Sequence, residues 1–150
     1  MITEQIIKYI DYIRLHTSDM DQVYTRIMDM EHFDRESEER IISLMKQNEK
    51  ILSTNNGNNV IFPRYCLEDR DNYFRIIIGV NNQVFEYAGK TVGIIVMILY
   101  SEDKRELFID SLAYLIRIFQ HKSLPGKLIE MDSESEIEEI IEKLLKEIED

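Results

Sequence analysis

The sequence predicts an α/β protein in which a mixed β-sheet is flanked by helices, with a further helical segment at the N-terminus. Three observations support this fold class. Apolar residues recur at helical spacing in the first third of the chain and again in the last third, whereas residues 60–99 are rich in β-branched and aromatic side chains. Helices, then strands, then helices in a chain of 150 residues indicate helical layers packed on one sheet.

The first element is predicted to be an amphipathic helix from Thr3 to Leu15. One helical stripe collects its apolar residues, which are Ile6, Ile7, Ile10 and Ile13. Residues 1–17 are therefore expected to form an N-terminal amphipathic helix that precedes a folded domain of residues 18–150. We expect the apolar stripe to cover its own domain or a second copy of the chain, because it is too apolar to be left in water.

Two more helices and a loop are predicted before the middle of the chain. Ser18 is expected to cap the first helix and Asp34 the second, because short polar side chains accept hydrogen bonds from the free N–H groups at helix starts. Residues 53–59 then break the helical pattern with the sequence S-T-N-N-G-N-N. These residue types favour turns and tolerate left-handed backbone conformations, so we expect a loop.

Strands are predicted at three runs of β-branched and aromatic residues, which are Val60–Phe62, Tyr73–Val80 and Thr91–Leu99. The third run is nearly all apolar, which is typical of a strand that is covered on both faces. It is therefore expected to lie in the middle of the sheet.

Two helices are predicted to close the chain. The first runs from about residue 102 to residue 120, and its inward-facing residues are expected to be Phe108, Ile109, Leu112, Leu115, Ile116 and Phe119. The second begins at Ser133, which forms a capping-box pattern with Glu136. Its apolar stripe is expected to pack on the core, while its acidic residues face water.

Composition narrows the classes of function. The chain carries 29 acidic and 18 basic residues, a formal charge of −11, which opposes binding to nucleic acid. Its one cysteine, Cys66, excludes an internal disulfide, and no metal site or cofactor motif is recognisable. We find no secretory leader and no segment long enough to span a bilayer, so we expect a cytoplasmic protein without membrane insertion.

The most informative segment is residues 48–64, which read N-E-K-I-L-S-T-N-N-G-N-N-V-I-F-P-R. This segment resembles the fructose, mannitol and nitrogen-regulatory branch of enzyme IIA of the bacterial sugar phosphotransferase system, whose motif reads R-E-x-x-x-S-T-G-I-G-x-G-I-A-I-P-H. The positions that match are Glu49, Ser53, Thr54, Gly57, the apolar run 60–62 and Pro63. The resemblance extends over roughly residues 18–148 and implies an enzyme IIA-like domain over residues 18–150.

Three departures from the family concern its phosphorylation site. The resemblance aligns Arg64 with the phosphorylated histidine, Asn48 with a supporting arginine and Phe108 with a second histidine at the start of the long helix. A phosphoryl acceptor needs a nucleophilic lone pair, and a guanidinium, which stays protonated to a pKa of roughly 12 or more, offers none. These residues are therefore predicted to be a relic site without catalytic function. Asn55 and Asn59 replace two family glycines and are expected to preserve the shape of the loop, since asparagine tolerates positive φ.

The relic site still has side chains that bind anions, so Arg64, Ser53 and Thr54 form a hypothetical ligand-binding set. The alternative for Arg64 is a surface ion pair with a neighbouring carboxylate. Cys66 is interpreted as a small apolar residue rather than a substitute nucleophile. The three histidines, His16, His32 and His121, do not align with the acceptor and are interpreted as surface or helix-end residues.

Three functions follow from this resemblance. The first is a catalytically silent, enzyme IIA-like regulatory or protein-binding module, and the resemblance implies a phosphotransferase component, a transporter or a regulator as its partner. The second is an active phosphoryl carrier that uses another nucleophile. The third is an anion or nucleotide sensor that uses Arg64.

Overall fold

A computed structural model describes residues 2–149 of the chain. Two short 3-10 helices, Asp29–Glu31 and Glu102–Lys104, accompany the main elements. The main elements, in chain order, are α1 (Ile2–Ile7), β1 (Ile10–Leu15), α2 (Met20–Met28), α3 (Arg35–Ile51), β2 (Val60–Ile61), β3 (Arg64–Leu67), β4 (Phe74–Tyr87), β5 (Lys90–Ser101), α4 (Arg105–Phe119), α5 (Leu124–Ile129) and α6 (Glu134–Glu149).

The strands form one mixed, five-stranded sheet, which confirms the predicted fold class. Its order is β1-β4-β5, and β2 and β3 follow one another along the free side of β5. Only β4 and β5 are antiparallel, and the other pairs are parallel. The turn between β4 and β5 has Ala88 and Gly89 at positive φ, which suits the right-handed twist of a hairpin.

Helices cover both faces of the sheet because successive strand residues point to opposite faces. One face packs against α1, α4, α5 and α6 and carries Ile76, Ile78, Ile94, Val96 and Ile98. The other face packs against α2 and α3 and carries Ile77, Ile95, Met97 and Leu99. The central strand β5 is buried from Val92 onwards, as its apolar sequence predicts. Within residues 2–149, no helix has the length and apolar character needed to cross a bilayer.

The predicted N-terminal helix is wrong beyond its first turns. The helix ends at Ile7, and residues 10–15 form β1, which pairs in parallel with β4 from Ile10 opposite Ile76 to Leu15 opposite Asn81. This strand has apolar residues on both of its faces, and their spacing resembles that of an amphipathic helix. Pairing with a distant strand therefore overrides the local pattern. Residues 10–15 belong to the same sheet as the later strands, and Met1 and Asp150, the outer ends of the two predicted segments, lie outside the described residues.

The helix caps largely follow the sequence. Asp34 caps α3 by accepting a hydrogen bond from the backbone N–H of Ser37 at 2.9 Å, as predicted. The cap of α2 is Asp19 rather than Ser18, because the Asp19 carboxylate lies at the position that accepts the N–H three residues later. In α4, the prediction that Ile109 faces inward is wrong, since this residue is 54% exposed.

Candidate functional site

A buried glutamate holds the loop of residues 53–59. Glu49 lies in the last turns of α3 and is only 4% exposed. Its Oε1 accepts hydrogen bonds from the Thr54 backbone N–H at 2.8 Å and from the Thr54 hydroxyl. The same hydroxyl oxygen accepts the N–H of Phe62 at 3.2 Å. We call Glu49, Thr54 and Phe62 the loop clamp, because they join α3, the loop and the segment after β2.

The backbone of the loop contains two residues with positive φ. Gly57 has φ +86° and Asn59 has φ +66°, so the expectation that asparagine takes over a left-handed position is confirmed for Asn59. Asn55 does not adopt that conformation and instead forms an isolated bridge with Ile61. The loop shape is therefore compatible with asparagine at both positions.

Asparagine side chains also attach the loop to the end of α4. Asn56 donates from Nδ2 to the carbonyl oxygen of Phe119 at 3.4 Å. Asn58 donates to the same carbonyl and to that of Gln120, both at 3.3 Å. The last carbonyls of a helix lack partners within the helix, so the loop caps α4 from outside.

Arg64 is the first residue of β3 and lies beside the clamped loop, at the end of the motif segment. Together with Asn48, Glu49 and Thr54 it lines a cavity of about 200 Å³, and the remaining lining residues are Met45, Ile51 and Leu52. No carboxylate among residues 2–149 forms an ion pair with the Arg64 guanidinium. The interpretation of Arg64 as half of a surface ion pair is therefore not supported.

The second oxygen of Glu49 is also left without a partner. Its Oε2 is buried and accepts no hydrogen bond from the described residues, while Oε1 serves Thr54. A buried carboxylate oxygen without a donor is costly, so the hydrogen bonds at Oε1 are partly offset by the burial of Oε2. Glu49 and Arg64 thus both line the cavity but do not form an ion pair with each other.

Two of the residues named from the sequence lie outside this cavity. Phe108, on α4, is 7% exposed and stacks on Tyr100 with ring centroids 4.1 Å apart. Ser53 is exposed, and its hydroxyl accepts the backbone N–H of Asn55 at 3.3 Å. The structure therefore brings Arg64, Asn48 and Thr54 together but leaves Phe108 in the core and Ser53 in the turn.

Cys66 belongs to a small polar cluster on the same strand as Arg64. Its thiol donates to Glu102 at 3.4 Å, and Glu102 accepts two hydrogen bonds from Arg105, both at 2.7 Å. Burial, followed by the hydrogen bond to Glu102, raises the pKa of the Cys66 thiol. The hydrogen bonds from Arg105 and then Cys66 lower the pKa of the Glu102 carboxyl to about 2. At neutral pH the thiol is therefore protonated, which makes it a weak nucleophile.

The role of Glu49 is the main feature that sequence reasoning missed. The sequence does contain a signal for it, because Glu49 matches the resemblance motif and lies five residues before Thr54. A charged residue near a helix end is usually interpreted as exposed, however, and only the fold reveals its burial. Its hydrogen bonds, rather than its charge alone, explain why it stands there.

Comparisons with known proteins agree with this geometry. The model of the family "Phosphoenolpyruvate-dependent sugar phosphotransferase system, EIIA 2" matches residues 9–144. The nitrogen regulatory protein IIA-Ntr from Neisseria meningitidis is similar in structure, with a TM-score of 0.71 and 17% identity over 94% of this chain and 99% of that one. IIA mannitol from Escherichia coli is also similar, with a TM-score of 0.64 and 14% identity over 91% of this chain and 95% of that one. No curated protein sequence matches the chain. Because the family model spans most of the chain, the protein belongs to the EIIA type 2 family of the phosphoenolpyruvate-dependent sugar phosphotransferase system.

Proposed function

We propose that this chain is an EIIA-type domain that carries no phosphoryl group and acts as a regulatory or protein-binding module. The observation that carries this proposal is that Arg64, which the motif aligns with the family's phosphorylated histidine, lines the cavity beside the clamped loop. A guanidinium has no free lone pair at physiological pH and cannot attack a phosphoryl donor. A loop that keeps its shape without a histidine at its end is compatible with a binding role.

The two other relic positions support the same proposal. Asn48 lines the cavity with a neutral amide, which does not provide the charged bidentate clamp of an arginine on phosphoryl oxygens. Phe108 is buried against Tyr100 and offers no polar atom to a phosphoryl group. Transition-state stabilisation would therefore be weak even if another acceptor were present.

An active carrier with a different nucleophile is the first alternative. Cys66 lies two residues beyond Arg64 on β3, but burial and Glu102 raise the pKa of its thiol and so reduce the thiolate fraction. His16, His32 and His121 do not line the cavity beside Arg64. These features favour the silent module over the carrier.

An anion or nucleotide sensor is the second alternative. The Arg64 guanidinium, which has no ion-pair partner among residues 2–149, favours an anion, but the carboxylate of Glu49, which lines the same cavity, opposes one. Ser53 lies outside the cavity lining, and the Thr54 hydroxyl is already bonded to Glu49. The proposed anion set of Arg64, Ser53 and Thr54 is thus reduced to Arg64.

The proposed partner is a protein of the phosphotransferase system, a transporter or a regulator, in the cytoplasm. The structural likeness to a nitrogen regulatory protein supports a regulatory role. The formal charge of −11 disfavours nucleic acid. Self-association as a homodimer is a further proposal, which sedimentation of the purified chain would test.

Phosphoryl transfer is the decisive test. The purified chain would be incubated with the phosphorylated histidine phosphocarrier and measured by intact mass spectrometry, with an active enzyme IIA as the positive control. We expect no labile mass increase for this chain. A phosphorylated species would contradict the proposal, and Cys66→Ser and single histidine substitutions would then locate the acceptor.

The sensor has its own test. Thermal unfolding would be followed with inorganic phosphate and with ATP, since a ligand that binds only the folded state raises the midpoint. We expect no rise with either ligand. A rise that Arg64→Met abolishes would favour the sensor over the silent module.

A further inference from the structure

A groove lies between the end of α4, helix α5 and the second half of α6. Two adjoining cavities of about 390 Å³ and 210 Å³ form it, and His121, Leu144 and Glu147 line both. The other charged residues of the lining are all basic, and they are Arg117, Lys127 and Lys143. Three cations against one carboxylate make the groove positive at neutral pH, whereas the whole chain has a formal charge of −11.

The basic side chains of this groove are available to a partner. Arg117, Lys127 and Lys143 are exposed, and none of them forms an ion pair within residues 2–148. The chain around them adds little opposing charge, since residues 111–129 contain no aspartate or glutamate. Charges more than about 8 Å apart are largely screened at physiological salt. A short segment bound in the groove therefore meets these cations rather than the negative charge of the whole chain.

The groove also has an apolar floor. Leu124 is 5% exposed, and Ile140 and Leu144 are half-buried. An inorganic anion would contact the cations but leave this apolar surface in water, and so would the phosphates of a nucleic acid. A segment that carries both carboxylates and apolar side chains covers both kinds of surface, as the apolar core and polar rim of a protein interface do.

We propose that this groove binds an acidic, amphipathic peptide segment of a partner protein. The apolar side chains of the segment pack on the floor of the groove, and its carboxylates pair with Lys127, Lys143 and, in the smaller cavity, Arg117. This inference rests on the proposed function as a protein-binding module, to which it adds a binding surface separate from the cavity beside Arg64.

Four synthetic peptides separate the effect of charge from that of apolar contact. Three carry leucines at the same positions and differ only in the residues between them, which are glutamate, glutamine or lysine. The fourth keeps the glutamates and has serine in place of every leucine. Each would be titrated into the ¹⁵N-labelled full chain, following the amide resonances of His121, Lys127 and Leu144. We expect saturating shifts at these residues, with the glutamate–leucine peptide binding about tenfold more tightly than the other three and weakening with added salt.

Charge-reversal variants connect the binding to the groove. Lys127→Glu and Lys143→Glu should each weaken the glutamate–leucine peptide about threefold to tenfold, because each replaces an attraction by a repulsion. Lys127→Arg keeps the positive charge and should bind this peptide like the wild type. Lys50→Glu is the control, since Lys50 is an exposed lysine of α3, which packs on the opposite face of the sheet.

Other patterns overturn the proposal. Equal affinity for the glutamine peptide would mean that the cations do not contribute to recognition, and equal affinity for the serine peptide would make the groove a general anion site. Tightest binding of the lysine peptide, or absence of shifts in the groove with all four peptides, would contradict it as well. Shifts of the groove resonances on dilution without peptide would assign the groove to a second copy of this chain instead of a partner.

The proposed function fails in a different experiment. A labile mass increase of the wild-type chain after incubation with the phosphorylated histidine phosphocarrier would contradict the silent module but leave the peptide titrations unaffected. The two failures are therefore distinguishable.

Discussion

Two sets of residues in segment 48–64 have different roles. The loop clamp of Glu49, Thr54 and Phe62 is buried or half-buried and satisfies backbone N–H groups. Asn48 and Arg64 line an open cavity, and their side chains make no hydrogen bond to another described residue. We expect replacement of a clamp residue to disturb the fold and replacement of Asn48 or Arg64 to change only the chemistry of the cavity. The loop therefore keeps its shape through residues other than Arg64, the residue that we propose replaces the acceptor.

The largest effect is expected from deleting residues 1–16. This deletion removes α1 and β1, including Ile6, Ile10 and Leu15, which are at most 7% exposed. Burial of each contributes roughly 1.5–3 kcal/mol, so their combined loss approaches the whole stability of a typical domain. We expect the truncated chain to lose its cooperative thermal transition. If it melts like the full chain and remains the same oligomer, the first sixteen residues are not part of the scaffold.

The proposed relic phosphorylation site is tested by restoring the family's residues at Arg64 and Asn48. Arg64→His alone should not restore efficient phosphorylation, because an acceptor without a preorganised donor lacks transition-state stabilisation. Adding Asn48→Arg in that background should raise the rate about a hundredfold, measured by transfer from the phosphorylated histidine phosphocarrier. Asn48→Arg in the wild type is the control and should have no effect. Equal effects in the two backgrounds would contradict the proposed relic site.

The loop clamp is tested by the substitution Glu49→Ala. This change removes the acceptor of the Thr54 N–H and should lower the free energy of unfolding by about 1–3 kcal/mol. Asn48→Ala, next to it on the exposed side of α3, should change that free energy by less than about 0.5 kcal/mol. Urea unfolding of both variants measures the difference. A higher midpoint for Glu49→Ala would mean that burying the carboxylate costs more than its hydrogen bonds contribute.

Sequence reasoning recovered those parts of the fold that local pattern determines. Strand β5 is apolar because both of its faces are covered, and α3 begins where Asp34 can cap it. It failed where pairing between distant segments determines the secondary structure. Residues 10–15 became a strand because β4 lies beside them, and the four residues of β3 have no alternation of their own.

The candidate site was predictable only in part. The motif brought Arg64, Asn48 and Thr54 together correctly, because register within a short segment is preserved by the loop. It could not show that the Glu49 carboxylate is buried or that Phe108 is stacked in the core, since both depend on what packs around them. Side chains that act through burial are therefore the ones a single sequence reveals least.

The smallest effect is expected from Glu102→Gln, at the carboxylate that accepts a hydrogen bond from Cys66 of β3. Arg105 and Cys66 lower the pKa of Glu102 to about 2 from 4.5, so the carboxylate stabilises the folded state above pH 4.5, and this contribution disappears as the pH falls towards 2.

The difference in unfolding midpoint between wild type and Glu102→Gln should therefore be present at pH 6, shrink on acidification and weaken with added salt, since the group is exposed. Glu106→Gln, an exposed neighbour that forms no ion pair within residues 2–149, is the matched control and should show no such trend. A difference that stays constant with pH would mean that Glu102 acts through packing rather than charge. Loss of the fold in the variant would mean that the hydrogen bonds of Glu102 to Cys66 and Arg105 are needed for folding.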